Sequence, residues 1–363
     1  MIPISLCMIV KDEEQVLERC LQSAAELVEE IVIVDTGSSD RTLEIAAKYT
    51  DRIFAFDWIE DFGAARNYSF EQATKDYILW LDADDWLQET DREAFLALKS
   101  SLDPAIDAVS MNYIVAFDPH GGAAAVVKRH RLVKRSRQFR WVERVHEYLQ
   151  VDGKIVTSDI AVSHGRTLAS GTRNLRIYES MLAQGESFTD RQLLHYGMEL
   201  TANGRYRHAI EAFGKCLDNH GGYFESKADC CDRIAHCYHQ LGEQENELHA
   251  LLRLFQYDVP RADYACRIAY FFQENEDVMK AIHWYRLALK LEKPENRQFG
   301  VNEAAWTWLP HLQLVACYGR IGDLQSAYWH NEKALSYAPD DANMLYNKRL
   351  LEERLAESSS QID

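Results

Sequence analysis

The chain has 363 residues, a length typical of two domains, and its 47% hydrophobic and 27% charged residues are ordinary for a globular protein. The formal net charge of -17 argues against general nucleic-acid binding, which requires a basic surface. The N-terminal residues suit a first strand and lack the basic segment of a signal peptide. No apolar run approaches the ~20 residues that cross a bilayer. The eight cysteines include no Cys-x-x-Cys pair, so we expect a cytoplasmic protein with reduced cysteines.

Strand and helix patterns alternate through the first 81 residues. The predicted strands cover residues 4–10, 30–35, 52–57 and 77–81, and the predicted helices cover residues 11–21, 41–49 and 62–73, the second of them with Asp40 as its N-cap. Such alternation with short loops predicts a doubly wound α/β layer with right-handed crossovers. Four more strand-like segments follow at residues 107–116, 126–133, 145–151 and 155–163.

Residues 77–86 (YILWLDADDW) form the stretch around which this layer is organised. The first five are an apolar run that suits a strand buried on both faces of a parallel sheet. Asp82, Asp84 and Asp85 follow at once, so we expect them just past the strand, at the edge where ligands bind in open α/β sheets. Crowded carboxylates repel one another unless a cation joins them, which indicates Mg²⁺ or Mn²⁺. A solvated acidic turn is the alternative interpretation.

Two earlier predicted strands also end in aspartates, Asp35 and Asp57, which should reach the same edge of the sheet. The chain has neither a Gly-x-Gly-x-x-Gly pattern nor a Gly-Lys-Ser/Thr loop, so a dinucleotide fold and a P-loop NTPase are disfavoured. We interpret the sheet as one that holds a nucleotide with carboxylates and a metal ion.

A basic run follows the central strands and is unusual in so acidic a chain. It comprises Lys128, Arg129, Arg131, Lys134, Arg135, Arg137, Arg140 and Arg144. One interpretation is an exposed strand face protected from edge pairing. The other is that some of these side chains meet a diphosphate.

From about residue 190 the pattern is helical and repeats. Positions 204, 242, 276 and 322 are equivalent in successive repeats, with spacings that allow one longer loop near residues 293–296. The pattern resembles a tetratricopeptide-repeat array, in which helix pairs stack and small residues lie where helices cross. Residues 341–356 are predicted to form a capping helix.

Four motifs occur in order in the N-terminal half: residues 6–14 (LCMIVKDEE), 33–40 (IVDTGSSD), 61–67 (DFGAARN) and 81–85 (LDADD). Together they resemble the family 2 glycosyltransferases of the GT-A fold. The repeats that follow make the layout similar to that of bacterial peptide S-glycosyltransferases, which modify cysteines of glycopeptide bacteriocins. The resemblance implies a GT-A domain over residues 1–185, a repeat array with a capping helix over residues 186–357 and a disordered tail over residues 358–363.

The same resemblance implies roles for individual residues in binding the donor. Asp35 would accept a hydrogen bond from the uracil ring of a UDP-sugar, and Cys7, Ile9 and Val10 would line the base pocket through their backbones. Arg66 would lie near the diphosphate or hold the acidic cluster in place. Asp82 would contact ribose or metal-bound water, Ala83 is also assigned to cofactor binding, and Asp84 would ligate Mn²⁺ or Mg²⁺.

Catalysis by an inverting transferase also requires a carboxylate base. The family commonly has Trp-x-Gly-x-Val-His-Glu in the region where this chain has WVERVHE at residues 141–147, so Glu143 stands where glycine is usual. Glu147 is the first choice as base or acceptor-binding group, Glu143 is the second, and Asp85 is also assigned to catalysis. His164 suits the distance of a downstream metal ligand, with His146 as its rival.

The resemblance therefore implies a metal-dependent inverting glycosyltransferase that moves a hexose or N-acetylhexosamine from a UDP-sugar to a peptide or protein. A cell-surface glycan or lipid-linked sugar is the alternative acceptor. Two other classes remain open: an inactive GT-A scaffold whose repeats bind proteins, and a nucleotidyltransferase, which usually needs a glycine-rich basic loop that residues 6–14 lack. The repeats could also form a homodimer.

Overall fold

The computed structural model describes residues 1–117, 123–165, 171–219, 224–294 and 302–360. The chain divides into two compact units, Met1–Gly185 and Glu186–Asp363. The first unit is built on a β-sheet and the second is helical. This is the predicted fold class, an α/β domain followed by an all-α repeat array.

The main sheet of the first unit has eight strands in the order β3-β2-β1-β4-β7-β6-β10-β5. The strands are β1 Ile4–Val10, β2 Glu30–Asp35, β3 Ile53–Ala55, β4 Tyr77–Trp80, β5 Asp85–Trp86, β6 Ala108–Phe117, β7 Ala123–Lys134 and β10 Ile155–His164. The first four by sequence are mutually parallel, so their carboxyl ends meet at one edge. Because β7 runs antiparallel to both β4 and β6, the sheet is mixed and departs from a purely doubly wound layer.

Five helices accompany this sheet: α1 Leu17–Ala24, α2 Thr42–Ala46, α3 Phe62–Gln72, α4 Glu89–Ser101 and α5 Arg173–Ala183. The prediction of a helix over residues 11–21 is wrong at its start. Asp12 has a φ of 54°, in the left-handed region, and its N–H donates to Ser38 Oγ at 3.0 Å. The next N–H, of Glu13, donates to Thr42 Oγ1 at 2.7 Å. This segment is therefore a turn that is held by side chains from the loop after β2.

The segment predicted as a strand over residues 145–151 lies outside the main sheet. Only its last part is extended, as β9 Tyr148–Gln150, which pairs antiparallel with β8 Arg140–Val142. Between them, the backbone of Glu143 (φ 74°) and of His146 (φ 53°) is left-handed, so a continuous strand cannot form.

The second unit is a series of helix pairs joined by short turns. Its helices are α6 Asp190–Ala202, α7 Tyr206–Asp218, α8 Phe224–Gln240, α9 Gln244–Arg253, α10 Ala262–Glu274, α11 Val278–Ala288, α12 Trp308–Arg320, α13 Leu324–Leu335 and α14 Ala342–Ser360. Gly197 of α6 lies so close to the Phe213 ring of α7 that a Cβ at residue 197 would overlap it, as expected where helices cross. The last helix continues through Ser360, beyond the predicted cap, and residues 361–363 lie outside the described residues.

Within the part of the chain that the structure describes, no helix is both long and apolar enough to cross a membrane. All eight cysteines are buried as free thiols.

The four positions that the repeat pattern equates share one backbone conformation. Gly204, Gly242 and Gly322 have φ between 71° and 80°, and Glu276 has a φ of 61°. Each ends the first helix of its pair in the left-handed region, where only glycine avoids strain.

We expect Glu276→Gly to raise the free energy of unfolding by about 0.5–1 kcal/mol, because relief of ~1–2 kcal/mol of strain exceeds the entropy lost by glycine. Urea unfolding measures this, with Gly242→Ala as the converse control; a loss of stability in Glu276→Gly would contradict it.

A buried histidine pair lies in the last helix pair. The Nδ1 atoms of His311 and His330 are 2.8 Å apart, so one ring donates to the other. Burial, together with the positive charges of His311 and Arg286, lowers the pKa of His330 to about 4. The unfolded chain therefore binds a proton near pH 6.5 that the folded chain does not, and stability falls as the pH drops from 6.5 towards 4.

We expect this single histidine to remove about 2 kcal/mol of stability between pH 7 and pH 5. His330→Gln should lose less stability than the wild type over that interval, which urea unfolding at the two pH values measures. His249→Gln, on another helix, serves as the control. Equal losses in the wild type and in His330→Gln would refute the assignment.

Candidate active site

The acidic loop, residues 82–85, directly follows β4 at the edge where the parallel strands end. The Asp85 N–H donates to the Asp82 carbonyl at 3.0 Å, and the Asp82 N–H donates to Asp85 Oδ2 at 2.9 Å. These two bonds close a tight turn. The carboxylates therefore point into different surroundings even though they are neighbours in sequence.

The Asp85 carboxylate forms an ion pair in the interior of the protein. Its Oδ2 lies 2.9 Å from Arg131 Nη2, and neither side chain has any exposed surface. Its Oδ1 accepts from Tyr113 Oη at 3.0 Å. A carboxylate enclosed in this way does not reach a substrate, so the geometry does not favour the catalytic role assigned to Asp85 and indicates a structural one.

Arg131 reaches Asp85 because of a β-bulge. Ser110 pairs with His130 but Val109 pairs with Leu132, which leaves Arg131 as the extra residue of β7. Its guanidinium lies between two rings, 3.8 Å from the centroid of Trp80 and 4.4 Å from that of Tyr113.

Several other arginines of the basic run form ion pairs or hydrogen bonds with nearby residues. Arg137 pairs with Asp152, Arg140 with Glu71, and Arg135 Nε donates to the Lys75 carbonyl. These exposed local contacts fit the protected-face interpretation better than a diphosphate site.

Arg66 bridges two carboxylates that are far apart in sequence. Its Nη2 donates to Asp82 Oδ1 at 2.6 Å, and its Nε donates to Glu147 Oε1 at 2.7 Å. Although burial opposes ionisation, the guanidinium groups of Arg66 and Arg131 lower the pKa of Asp82. Burial also disfavours the charged form of Arg66, but Asp82 and Glu147 outweigh it and raise the pKa of the guanidinium. Arg66 thus joins the acidic loop to the segment that carries the predicted base.

The next residue, Asn67, fixes that segment. Its Nδ2 donates to the Trp141 carbonyl and its Oδ1 accepts from the Trp141 N–H, both at 2.9 Å. At the start of α3, Asp61 accepts from the Ala64 N–H at 2.8 Å as the N-cap. The motif at residues 61–67 therefore begins a helix, clamps β8 and bridges the carboxylates in one short stretch.

Glu143 adopts the backbone conformation of a glycine. Its φ is 74°, and its carbonyl lies so close to Gly63 that a Cβ on Gly63 would be 2.5 Å from the oxygen. This explains why glycine is usual at position 143 in the family pattern. The positive φ of Glu143 is thus a backbone reason for a glycine at this position.

Asp84 and His164 form the core of a possible metal site. His164 Nδ1 lies 3.4 Å from Asp84 Oδ2 and 3.3 Å from Asp85 Oδ1, and the donor atoms of these three residues all lie within 4.8 Å of one another. Hydrogen bonding to Asp84 and Asp85 raises the pKa of His164 to about 10 despite burial. The site thus stabilises a cation and offers oxygen and imidazole donors, which fits a divalent metal.

His146, the rival ligand, does not belong to this cluster. Its ring stacks on Tyr178 with the centroids 6.3 Å apart. Among the described residues, Asp84, Asp85 and His164 are the group with metal-ligand spacing.

The residues predicted to line the pocket of the nucleotide base lie at different depths in the sheet. Cys7 lies in the middle of β1, in register with Val32 and Trp80, and it is 1% exposed. Burial raises the pKa of its thiol, and its Sγ donates to the Ser69 carbonyl. Strands flank the backbone of Cys7 on both sides, so Cys7 lies inside the sheet, and its role in the base pocket stays a prediction.

The other predicted donor residues lie nearer the carboxyl edge. Val10 pairs with Asp35 in register, whereas Ile9 is one residue further inside β1. The Asp35 carboxylate accepts from the Gly37 and Ser38 N–H groups at 3.1–3.2 Å, so its own turn holds it in place. Ala83, which lies between Asp82 and Asp84 in the sequence, is buried.

Sequence reasoning missed Glu13, Tyr113 and Arg131. Burial and the negative charges of Asp84 and Asp82 raise the pKa of Glu13 to about 7, so this carboxyl group belongs electrostatically to the acidic loop. The predicted helix over residues 11–21 concealed it, although it lies within the first motif. Tyr113 had no local signal, and the basic run that contains Arg131 gave no sign of its pairing with Asp85.

Several known proteins are similar to this chain. A TPR repeat-containing protein of Synechococcus elongatus is 29% identical over 347 residues, which cover 93% of this chain and 76% of that protein. The SPbeta prophage-derived glycosyltransferase SunS of Bacillus subtilis is 24% identical over 60% of this chain, and the match spans about half of its length, 54%. The lipopolysaccharide core biosynthesis glycosyltransferase LpsC of Rhizobium meliloti is 25% identical over 42% of this chain and 59% of its own length.

A family match covers the part of the N-terminal unit that carries the acidic loop. Residues 5–129, which contain β1 to β4 and the acidic loop, match the family model described as glycosyl transferase family 2. The N-terminal unit therefore contains a family 2 glycosyltransferase domain, and an array of helix pairs follows it.

Proposed function

We propose that the protein is a metal-dependent inverting glycosyltransferase that moves a hexose or an N-acetylhexosamine from a UDP-sugar to a peptide or protein in the cytoplasm. The observation that carries this proposal is the bridge of Arg66 between Asp82 on the acidic loop and Glu147. Through this bridge, one guanidinium contacts both a carboxylate that would bind the sugar donor and a carboxylate that would act on the acceptor.

The donor side of the site supports a nucleotide diphosphate. Asp35 is 8% exposed at the end of β2, and its carboxylate retains acceptor capacity beyond its turn for the N–H of a uracil ring. Asp84 and His164 would hold the divalent ion. When bound, that ion supplies the charge that neutralises the departing UDP. The imidazole donor favours Mn²⁺ over Mg²⁺, which is bound mainly by oxygen.

The acceptor side requires a base that faces the attacking group. In the proposed reaction an acceptor oxygen or sulfur bonds to the anomeric carbon while the bond from that carbon to UDP breaks. Glu147 takes the acceptor proton, and UDP leaves with the bonding electrons. The side chain of Glu147 is 13% exposed, and Arg66 fixes its position relative to the acidic loop.

The repeat array supports a peptide or protein acceptor, because stacked helix pairs present extended surfaces that suit peptides. The similarity to a lipopolysaccharide core glycosyltransferase favours the alternative, a glycan acceptor. An inactive scaffold is less well supported, since Asp82, Asp84 and Arg66 are all present and mutually arranged. A homodimer through the repeats stays a proposal.

The test is a thermal-shift panel of UDP, GDP, dTDP and CDP with and without Mn²⁺. We expect UDP with Mn²⁺ at 100 times its Kd to stabilise the N-terminal unit by about 2.7 kcal/mol. That corresponds to a rise in Tm of about 5–10 °C for a unit of this size. Asp84→Asn should abolish the shift, whereas Asp51→Asn, an exposed aspartate elsewhere, should retain it. If no nucleotide raises the melting temperature, the glycosyltransferase proposal is refuted and the inactive-scaffold alternative is favoured.

A further inference from the structure

The backbone of the acidic loop is held from outside by α1. Cys20 Sγ donates to the Asp82 carbonyl at 3.4 Å, and Ser23 Oγ accepts from the Leu87 N–H at 3.2 Å. Arg19 Nη2 lies 3.5 Å from the Asp84 carbonyl. These residues therefore contact the loop through its peptide groups, not through its carboxylates.

Gly165 holds the same carbonyl from the opposite strand. Its N–H donates to the Asp84 carbonyl at 2.8 Å, next to the point where His164 of β10 pairs with Asp85 of β5. A Cβ on residue 165 would lie 2.8 Å from the Asp84 oxygen and would overlap the Arg19 guanidinium. Any side chain at residue 165 would therefore displace the backbone of Asp84 or the arginine.

Arg19 fills the space that a side chain at residue 165 would need. Its guanidinium lies over the Trp86 ring, 3.9 Å from the centroid, and Trp86 stacks on Phe117. Trp86 also lies 3.3 Å from the position of a Cβ on Gly165. The arginine is thus kept in place by a ring that belongs to the strand following Asp84.

We propose that Gly165 and Arg19 are positioning residues that fix the Asp84 peptide, so that the Asp84 carboxylate is presented to a divalent cation beside His164. This inference rests on the proposed metal-dependent function. Residues that orient a ligand typically account for 10–100-fold in metal affinity, because an unanchored ligand must be ordered again when the ion binds. The chain has a tight-fitting glycine at residue 165 because any larger residue would break this arrangement.

The experiment is a titration of the full-length protein with Mn²⁺, followed by the electron paramagnetic resonance signal of free Mn²⁺. We expect Gly165→Ala to raise the Kd for Mn²⁺ by about 10-fold or more, and Arg19→Ala to raise it by a smaller factor. The double variant should bind no better than Gly165→Ala, because a Cβ at residue 165 still lies 2.8 Å from the Asp84 oxygen when the guanidinium is removed. Arg19 is exposed, so its variant keeps the fold and tests the proposal even if Gly165→Ala is unstable.

Gly214→Ala is the matched control, since a Cβ on that helical glycine meets no atom within 4 Å. It should leave the Kd unchanged. If the wild type binds Mn²⁺ and both Gly165→Ala and Arg19→Ala bind it equally well, the positioning role is overturned while the proposed function stands. If the wild type does not bind Mn²⁺, the metal-dependent function fails, and the inference fails with it.

Discussion

Replacement of Arg131 by methionine is expected to lower the free energy of unfolding by about 3–5 kcal/mol, because it removes the guanidinium that is paired with a fully buried carboxylate. Asp85 has no exposed surface, so water cannot solvate the charge that remains. The loss should appear as a marked fall in Tm and in the urea midpoint of the N-terminal unit. Binding of Mn²⁺ should weaken as well, since Asp85 also contacts His164.

The double variant Arg131→Met/Asp85→Leu provides the internal check. A buried ion pair replaced by apolar side chains of similar volume is often neutral, so the double variant should recover much of the lost stability. Arg137→Met is the control for loss of an exposed arginine, and its effect should be much smaller because solvent screens the ion pair. If Arg131→Met were as stable as Arg137→Met, the ion pair would not be the structural core of the site.

Glu147, the proposed general base, should have the second large effect, which is on the reaction rate. We expect Glu147→Gln to slow the release of UDP from UDP-N-acetylglucosamine or UDP-glucose by about 10²–10⁴-fold, the usual contribution of a positioned general base. Glutamine can still accept a hydrogen bond from Arg66 Nε through its carbonyl, so the bridge should persist. The rate is measured with water or a cysteine- and serine-containing peptide as acceptor.

Glu143→Gly distinguishes between the two candidate glutamates. Glycine adopts the observed φ of 74° without strain, so this variant should fold at least as well as the wild type. It should keep its rate within about an order of magnitude of the wild type if Glu147 is the base. The thermal shift with UDP and Mn²⁺ should be retained in both variants. A reversed pattern, with Glu143→Gly inactive and Glu147→Gln active, would exchange the assignment.

Much of the architecture could be predicted because it depends on local patterns. The apolar runs of β1, β2 and β4 and the carboxylates that follow them identify a parallel sheet and its ligand edge. The equivalence of residues 204, 242, 276 and 322 could be read from spacing alone, and the structure gives these residues a common backbone conformation.

The rest depends on contacts that no local pattern encodes. Arg66 and Glu147 are 81 residues apart, and the bulge that delivers Arg131 to Asp85 depends on the register of β6 and β7. Asp84 and Asp85 are adjacent and chemically identical, so the sequence could not show that only Asp85 is fully enclosed with Arg131, although both contact His164. The turn at residues 11–16 has the apolar spacing of a helix, but side chains from another loop take its N–H groups.

The shared cation at Arg66 has a thermodynamic consequence. Two carboxylates compete for one guanidinium, so any event that changes the charge felt by Asp82 alters the electrostatic hold on Glu147, and the reverse also holds. The coupling free energy between two such sites is reciprocal by necessity. If the donor binds at Asp82 and the acceptor at Glu147 as proposed, the factor by which one substrate changes the affinity for the other is the same in both directions.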